Sequence, residues 1–255
     1  MKIIGIIPSR LDSKRFPGKP LADINGIPMI GHVYKRSKLC KDMEEVYVAT
    51  CDKEIADYVE SIGGKYVMTS STHQSAFDRT AEALMEIEKI TKEKPDIVVM
   101  IQGDEPMVTP QMLANSLSPI IMDSSVSIVN LMAEIKSEEE FMDNNEIKVV
   151  VDVNNYALYF SREPIPSSKS GASGFPRLKL IAVTPFRRDF LLDYNEMMQS
   201  PLEIIEHIDM MRIIENGYKV KMVLTETETY SVDTIEDLER VKKMMKDDYF
   251  LQKYV

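Results

Sequence analysis

The chain has 255 residues, of which 44% are hydrophobic and 28% charged, and its formal net charge is −10. This length predicts one domain with a large core or two small ones, and so acidic a chain is not expected to bind nucleic acid broadly. No apolar run is long enough to span a membrane. Cys40 and Cys51 show neither metal-binding nor disulfide spacing, which fits a reducing compartment. We therefore expect a cytoplasmic protein without a nucleic-acid or membrane partner.

The first element is the short apolar run from Lys2 to Ile7, which predicts a buried strand. A loop over 8–21 follows and holds two arginines and two lysines. The loop after a first parallel strand is where α/β sheets bind ligands. Several cations at that position favour a triphosphate, which Arg10, Arg15 and Lys19 would stabilise. The alternative is a solvated basic surface loop.

Strands and helices alternate at short spacing as far as residue 106. We predict, in chain order, a helix from Pro28, a strand over 45–50, a helix capped by Asp52, a strand over 65–68, a helix over about 78–92 and a strand over 96–101. This alternation predicts βαβ units, and so an α/β fold with a mostly parallel, Rossmann-like sheet and helices on both faces.

The second half of the chain is less regular. Two apolar runs flank Asn154-Asn155 and predict an inserted β-hairpin subdomain. The remaining predictions are strands over 126–132, 178–183 and 218–224, helices over 189–195 and 202–217, and a last helix over 235–246 that Thr234 caps. Because we find no linker or internal repeat, we predict a single domain over 1–255 with inserted elements at about 145–215.

Two aspartates stand where they can face the basic loop. Asp104 follows the strand over 96–101, and Asp233 follows the late strand. The carboxyl ends of parallel strands share one edge of a sheet, so both carboxylates can meet there. They would hold Mg²⁺ against phosphates. Alternatively, Asp104 is a turn residue and Asp233 an ordinary helix-start residue.

The sequence disfavours two other nucleotide-binding folds. No G-x-G-x-x-G motif follows the first strand, and no G-x-x-x-x-G-K-[ST] motif exists in the chain. The three histidines, His32, His73 and His207, show no zinc-binding spacing. Dinucleotide-dependent oxidoreductases and P-loop NTPases are therefore not expected.

Several motifs resemble those of the 3-deoxy-manno-octulosonate (Kdo) cytidylyltransferases, also called CMP-Kdo synthetases. They run in order from residue 3 to about 245. The main ones are Pro8-Ser9-Arg10-x-x-Ser13-x-Arg15-x-Pro17-Gly18-Lys19-Pro20-Leu21, His73-Gln74-Ser75, Asp78-Arg79, Gln102-Gly103-Asp104-Glu105-Pro106, Ala157-Leu158-Tyr159-Phe160-Ser161-Arg162 and Val232-Asp233-Thr234-x-Glu236-Asp237-Leu238-Glu239.

The resemblance implies a nucleotide-diphospho-sugar transferase type of fold and a Mg²⁺-dependent reaction. CTP is coupled to an acidic sugar, giving a CMP-sugar and pyrophosphate for lipopolysaccharide or capsule biosynthesis. The enzyme would be a homodimer, with dimerisation and acceptor-binding elements within 145–215.

The resemblance also assigns roles to residues. Arg10, Lys19 and Asp104 would be catalytic. CTP would be bound by Pro8, Ser9, Arg10, Ser13, Arg15, Lys19, Ser71 and Gln74. The acceptor would be bound by Arg79, Gln102, Arg162 and Asp209, and Mg²⁺ by Asp104 and Asp233.

The departures from the family pattern cluster around the acceptor. The family usually has Gly-Thr at Ala76-Phe77, His-x-Gly-x-Tyr over 180–184 and Glu-Gln at Asp209-Met210. Losing groups that pair with sugar hydroxyls costs specificity. We therefore expect CTP chemistry with an acceptor that differs from ordinary Kdo, such as a modified ulosonic acid.

Other hypotheses about the acceptor, the reaction and the function remain open. The acceptor could be another anion, bearing a carboxylate or phosphonate, or the enzyme could be a nucleotidyltransferase for a sugar phosphate with another base. A relative that binds nucleotide as a scaffold is the non-enzymatic alternative. The segment over 167–174 is either a lid or a passive surface loop.

Overall fold

The computed structural model describes residues 1–254 apart from 14, 74, 168, 170–174 and 228. The strands are β1 (Ile3–Ser9), β2 (Asp23–Ile24), β3 (Ile27–Pro28), β4 (Glu45–Thr50), β5 (Lys65–Met68), β6 (Ile97–Ile101), β7 (Val129–Glu134), β8 (Lys148–Val151), β9 (Ala157–Ser161), β10 (Leu178–Ile181), β11 (Val183–Arg187) and β12 (Lys221–Leu224). The helices are α1 (Met29–Lys38), α2 (Lys53–Ser61), α3 (Ala76–Thr91), α4 (Pro110–Met122), α5 (Glu138–Met142), α6 (Arg188–Glu196), α7 (Pro201–Glu206), α8 (Met210–Glu215) and α9 (Ile235–Met245). In the ranges described, no helix has both the length and the hydropathy to cross a membrane.

The chain forms two compact units, one of Met1–Ala114 with Thr229–Val255 and one of Asn115–Glu228. The first unit is built on parallel strands that pair in the order β6-β1-β4-β5. All seven residues of β1 are buried, which explains its continuous apolar sequence. The predicted α/β fold with a mostly parallel sheet is confirmed, and β4 and β5 keep their predicted bounds.

Two helices of the first unit begin differently from the prediction. Asp52 precedes α2, but its side chain makes no capping hydrogen bond; its carboxylate accepts instead from the Leu11 N–H at 2.7 Å. The helix predicted from Asp78 begins at Ala76, because the Ser75 hydroxyl accepts from the Phe77 N–H at 3.0 Å. Such a cap satisfies one of the free N–H groups at a helix start.

The C-terminal helix packs on the segment that follows the basic loop. Ile24 and Met29 share a buried cluster with Val232, Val241 and Met245. Thr234 caps α9 as predicted, and Asp237 completes a capping box by accepting from the Thr234 N–H at 2.9 Å. This cluster and the cap fix the backbone on both sides of Asp233.

The second unit contains a mixed sheet in the order β12-β7-β10-β8-β9. The predicted hairpin is confirmed, since β8 and β9 pair antiparallel. At its turn Asn155 takes a left-handed conformation with φ 57°. The Asp152 carboxylate accepts from the N–H groups of Asn154 and Tyr156, each at 2.8 Å, an Asx-type turn that closes the hairpin.

The single helix predicted over 202–217 is wrong. The chain forms α7 and α8, and His207 between them has the left-handed angles φ 54° and ψ 48°. The break brings Glu203 and Arg212 together as a buried ion pair, with Nε to Oε2 at 2.7 Å. In one continuous helix these residues would lie about 13 Å apart along the axis, so the pair requires the turn.

Candidate active site

The basic loop is closed at its end by a glycine. Gly18 has φ 75°, in the left-handed region that favours glycine, and its N–H donates to the Leu11 carbonyl at 3.0 Å. Lys19 then opens a 3-10 turn over Lys19–Leu21. The Ser13 hydroxyl accepts from the Phe16 N–H at 3.4 Å, so the predicted CTP-binding Ser13 is part of the loop's own folding.

Lys19 lies between the two predicted metal-binding aspartates. Its Nζ is 2.8 Å from Asp104 Oδ2 and 3.1 Å from Asp233 Oδ1. Arg15 also reaches Asp233, with Nη2 at 2.9 Å from the same Oδ1. Burial alone would lower the Lys19 pKa, but the two carboxylates outweigh it and raise the pKa above 10.5. The ammonium is therefore firmly charged.

The backbone holds Asp104 and Asp233 beside each other. The Val232 N–H donates to the Asp104 carbonyl at 2.9 Å. Gly103 allows β6 to end against β1, because a Cβ there would lie 3.0 Å from the Pro8 carbonyl oxygen and 3.3 Å from Ser9 Oγ. Pro8 and Ser9 are both buried at this junction. The two carboxylates meet the basic loop as predicted, but for Asp233 the predicted reason is wrong. The late strand β12 pairs with β7 in the second unit rather than with the parallel strands, and the backbone bond from Val232 holds Asp233 beside Asp104.

The donor set suits a hard divalent cation. Both carboxylates reach one ammonium, so their oxygens are close enough to share a cation. Across the residues that the structure covers, no group of three or more His, Cys, Asp or Glu side chains could hold a metal. Two carboxylates completed by water and phosphate oxygens is the coordination that Mg²⁺ commonly adopts in phosphoryl-transfer enzymes.

The segment after β5 lies next to Arg10 and is held by α3. Arg10 Nη1 donates to the His73 carbonyl at 3.3 Å. The Glu82 carboxylate accepts from the Ser70 N–H at 2.8 Å and is paired with the His73 ring. Burial would raise the Glu82 pKa, but these hydrogen bonds and the charges of His73 and Arg79 lower it overall. Ser71 is exposed, and the predicted CTP-binding Gln74 lies outside the described residues.

Arg79 is buried beneath the same segment. Its Nη1 donates to Thr69 Oγ1 at 2.5 Å and to the Ser70 carbonyl at 3.3 Å. Among the described residues its Nη2 has no hydrogen-bond partner, although the atom is buried. Gln102 is half-buried and its carbonyl accepts from the Glu105 N–H at 3.2 Å. Arg79 and Gln102, two of the four predicted acceptor-binding residues, thus lie in the first unit. They are close in sequence to predicted CTP-binding or metal-binding residues.

The other two predicted acceptor-binding residues lie in the second unit. The Arg162 guanidinium donates to the carbonyls of Glu206 and Asn144 at 3.0 Å, and to that of His207 at 3.3 Å. It therefore ties backbone segments together within this unit. Asp209 precedes α8 and makes no side-chain cap. For both residues the acceptor-binding role remains a prediction.

Thr184, one of the residues that differ from the family pattern, makes a buried hydrogen bond. Thr184 is buried, and its hydroxyl donates to Asn130 Oδ1 at 2.6 Å. The Asn130 amide donates in turn to the Ile181 carbonyl at 3.0 Å. The Thr184 hydroxyl is therefore engaged in a hydrogen bond within the second unit. At this position, where the family usually has Tyr, the side chain has a structural contact.

Two residues that position the site were not predicted from the sequence. Glu82 holds the segment over 70–73, and Asp52 fixes the basic loop through Leu11. Glu82 lies three residues after Arg79, on the same face of a helix. The spacing of Arg79 and Glu82 in the sequence was therefore a signal that the two charged side chains lie side by side on α3.

The chain is similar to known cytidylyltransferases along almost its whole length. A family model described as cytidylyltransferase matches residues 4–244. A 3-deoxy-manno-octulosonate cytidylyltransferase of Geobacter metallireducens is 41% identical over 251 residues, covering 94% of this chain and 96% of that protein. One of Geotalea uraniireducens is also 41% identical, over 256 residues, covering 96% and 100%. A solved CMP:2-keto-3-deoxy-manno-octonic acid synthetase complexed with CTP is similar with TM-score 0.87 and 35% identity, covering 96% of this chain and 98% of that one.

Proposed function

Because the chain belongs to the cytidylyltransferase family, we propose that it couples CTP to an acidic sugar, Kdo or a related ulosonic acid, and releases pyrophosphate. The product is a CMP-sugar for lipopolysaccharide or capsule biosynthesis. The observation that carries the proposal is the meeting of Lys19 and Arg15 with Asp104 and Asp233. Cations beside paired carboxylates are what a metal-bound triphosphate requires.

The triphosphate half of the site is the basic loop. Arg10, Arg15 and Lys19 carry positive charge next to the two aspartates and would neutralise the phosphates and the departing pyrophosphate. The anomeric hydroxyl oxygen of the acceptor would form a bond to the α-phosphorus and release its proton to solvent. The bond from that phosphorus to the bridging oxygen would break, and this oxygen would leave with the pyrophosphate. Ser9, Ser13 and the segment over 71–74 would complete the nucleotide contacts.

Cytidylyltransferases generally use a divalent metal, and we propose Mg²⁺ here. Asp104 and Asp233 would hold it through their carboxylates, because hard oxygen donors suit this ion. Bound there with the phosphates, the metal would neutralise charge that develops during the transfer. The protein's own part is to hold both carboxylates in place, through the Val232–Asp104 backbone bond and the Thr234 cap.

The acceptor is proposed to be anionic because Arg79 carries a buried N–H that has no hydrogen-bond partner among the described residues. The similar proteins named above act on Kdo, which favours an acceptor of that class. The changed positions at 76–77, 180–184 and 209–210 favour a modified ulosonic acid within it. Replacing hydroxyl-pairing groups by Leu180 and Thr184 would weaken recognition of unmodified Kdo.

We also propose that the chain works as one nucleotidyltransferase domain, forms a homodimer and acts in the cytoplasm. The dimer follows from the family resemblance, and its elements would come from 145–215. Cytoplasmic action agrees with two cysteines that are free in the structure, Cys40 and Cys51. The segment over 167–174, predicted to be either a lid or a passive surface loop, lies mostly outside the described residues.

Pyrophosphate release with a panel of nucleotides and acceptors tests the proposal. CTP with Mg²⁺ should be used in strong preference to UTP, ATP and GTP. Ulosonic acids should be turned over, and sugar phosphates should not. Kdo turned over as efficiently as by a typical Kdo cytidylyltransferase would refute the altered acceptor, and turnover of sugar phosphates alone would refute the acidic-sugar assignment.

A further inference from the structure

The ammonium of Lys19 lies between the two carboxylates of the proposed metal site. Lys19 Nζ contacts an oxygen of each aspartate, at 2.8 Å from Asp104 and 3.1 Å from Asp233. The Lys19 side chain is only 12% exposed, so these contacts are shielded from solvent. The proposed function assigns the same two carboxylates to a metal and the same ammonium to the triphosphate, and Lys19 cannot serve both arrangements at once.

We propose that Lys19 sets the metal affinity of this site, by holding the cation position between Asp104 and Asp233 until a divalent cation replaces its ammonium. This inference rests on the proposed function, since it takes these carboxylates as the metal ligands. Before the exchange the two carboxylates face two cations, the Lys19 ammonium and the Arg15 guanidinium. Afterwards the divalent cation supplies the positive charge between the carboxylates in place of the ammonium. The released ammonium then stands beside the site, where the phosphates are expected.

The surroundings suit such an exchange. The two aspartates are fixed by the backbone, through the Val232 N–H bond to Asp104 and the capped start of α9. Lys19 follows Gly18, and its ammonium ends a flexible four-carbon side chain. Moving a lysine head group costs less than moving either backbone segment. Without Lys19 only the Arg15 guanidinium would offset the repulsion between the two carboxylates, so the lysine also stabilises the protein before the metal binds.

The test is the affinity of the full-length protein for Mn²⁺ in the absence of nucleotide, measured by the electron paramagnetic resonance signal of free Mn²⁺. Lys19→Met should bind Mn²⁺ at least about tenfold more tightly than the unchanged protein, because no ammonium competes. Lys19→Gln is the second variant, and thermal melting of both checks that they fold. Lys19→Arg, which keeps a cation, should not show the gain.

Arg10→Met is the matched control. It removes one positive charge from the same loop, but the Arg10 guanidinium donates to the His73 carbonyl rather than to the aspartates. It should change Mn²⁺ affinity by less than about threefold. An equal gain from Arg10→Met would show a general charge effect and overturn the inference.

Asp104→Asn and Asp233→Asn separate this inference from the proposed function. If they weaken Mn²⁺ binding but Lys19→Met and Lys19→Gln bind no more tightly than the unchanged protein, the inference is wrong and the metal site stands. If neither aspartate variant alters Mn²⁺ binding, the metal assignment itself fails, and the inference with it.

Discussion

At the scale of single residues, Asp104 and Asp233 are the positions on which the proposed chemistry depends most. Asp104→Asn or Asp233→Asn keeps the shape but removes the charge that would hold the metal. We expect pyrophosphate release from CTP to fall on the order of 10²–10³-fold or more, as for loss of one electrostatic catalytic group. Asp57→Asn, which changes only a surface ion pair with Lys53, is the control and should retain activity.

His32 gives a prediction about pH. Burial lowers its pKa below 6.5, more than its hydrogen bond to the Ile24 carbonyl raises it. The folded state thus prefers neutral His32, while the unfolded chain takes up a proton below about pH 6.5. The contribution to stability is complete above that pH and is lost as pH falls from 6.5 towards the folded-state pKa, with a limiting slope of about 1.4 kcal/mol per pH unit.

Urea unfolding at several pH values between 7.5 and 5 measures this effect. His32→Gln should have a lower free energy of unfolding at neutral pH but a flatter decline towards pH 5 than the unchanged protein. Parallel declines in the two proteins would show that His32 does not titrate as its burial requires.

Asp104 and the basic loop could be predicted together because a general rule places them, whereas that rule does not place Asp233, since β12 pairs with β7 in the other sheet. Parallel strands end at one edge of a sheet, so Asp104 and the basic loop had to be neighbours. The contacts of Arg162 could not be foreseen in the same way. They depend on where the carbonyls of residues 144, 206 and 207 lie, and sequence does not specify backbone positions between distant segments.

At the scale of structural elements, α3 holds the segment that follows β5. Glu82 accepts from the Ser70 N–H and pairs with His73, whose carbonyl accepts from Arg10. Glu82→Gln weakens the contacts of Glu82 with Ser70 and His73 without altering any proposed substrate contact. We expect KM for CTP to rise about 5- to 30-fold, which corresponds to a loss of roughly 1–2 kcal/mol of charge-assisted hydrogen bonding, with a smaller change in kcat.

Steady-state kinetics with CTP and UTP measure this effect. The control is Glu86→Gln on the same helix, which affects only an exposed pair with Lys89. A fall in kcat without any change in KM would contradict the positioning role of Glu82.

The buried pair between α7 and α8 gives a prediction about stability. Glu203 and Arg212 are 3% and 4% exposed, and the Arg212 guanidinium also stacks 4.4 Å from the centre of the Tyr194 ring. Arg212→Met leaves the Glu203 charge buried without its partner and should cost about 3–5 kcal/mol. Denaturant unfolding measures the cost, and adding Glu203→Leu should recover part of it. A double variant no more stable than Arg212→Met would show that the unpaired charge is not the cause.

Local patterns predict most elements, because strand and helix periodicities are local properties. The failures have identifiable causes. We predicted no helix at α4, whose interior carries Pro119, a residue that normally interrupts helices. The helix-start signal Thr109-Pro110 was available, and the Thr109 hydroxyl accepts from the Met112 N–H at 3.2 Å. The break at His207 also escapes the pattern: its left-handed backbone is stabilised by the Glu203–Arg212 pair, which is a tertiary contact.

At the scale of the whole molecule, an acidic chain carries two arginines and two lysines within the loop over 8–21. The net charge is −10, yet Arg10, Arg15 and Lys19 are the side chains proposed to meet an anionic nucleotide. Composition could predict this contrast but not the grouping of the chain into two compact units. That grouping follows from which segments pack together, such as Val232 and Met245 with Ile24, and these lie far apart in sequence.

The proposed homodimer is the last prediction at this scale. In the second unit α7 exposes two consecutive isoleucines, with Ile204 at 54% and Ile205 at 71%. Adjacent exposed large apolar side chains favour contact with another surface, since burying them contributes roughly 25 cal/mol per Å². Ile205→Asp should therefore shift the dimer towards monomer in sedimentation velocity. The control is Ile90→Asp on α3, because Ile90 is also 71% exposed but lies in the first unit. A dimer that survives Ile205→Asp and dissociates with Ile90→Asp would place the interface on the first unit, outside the predicted 145–215 elements.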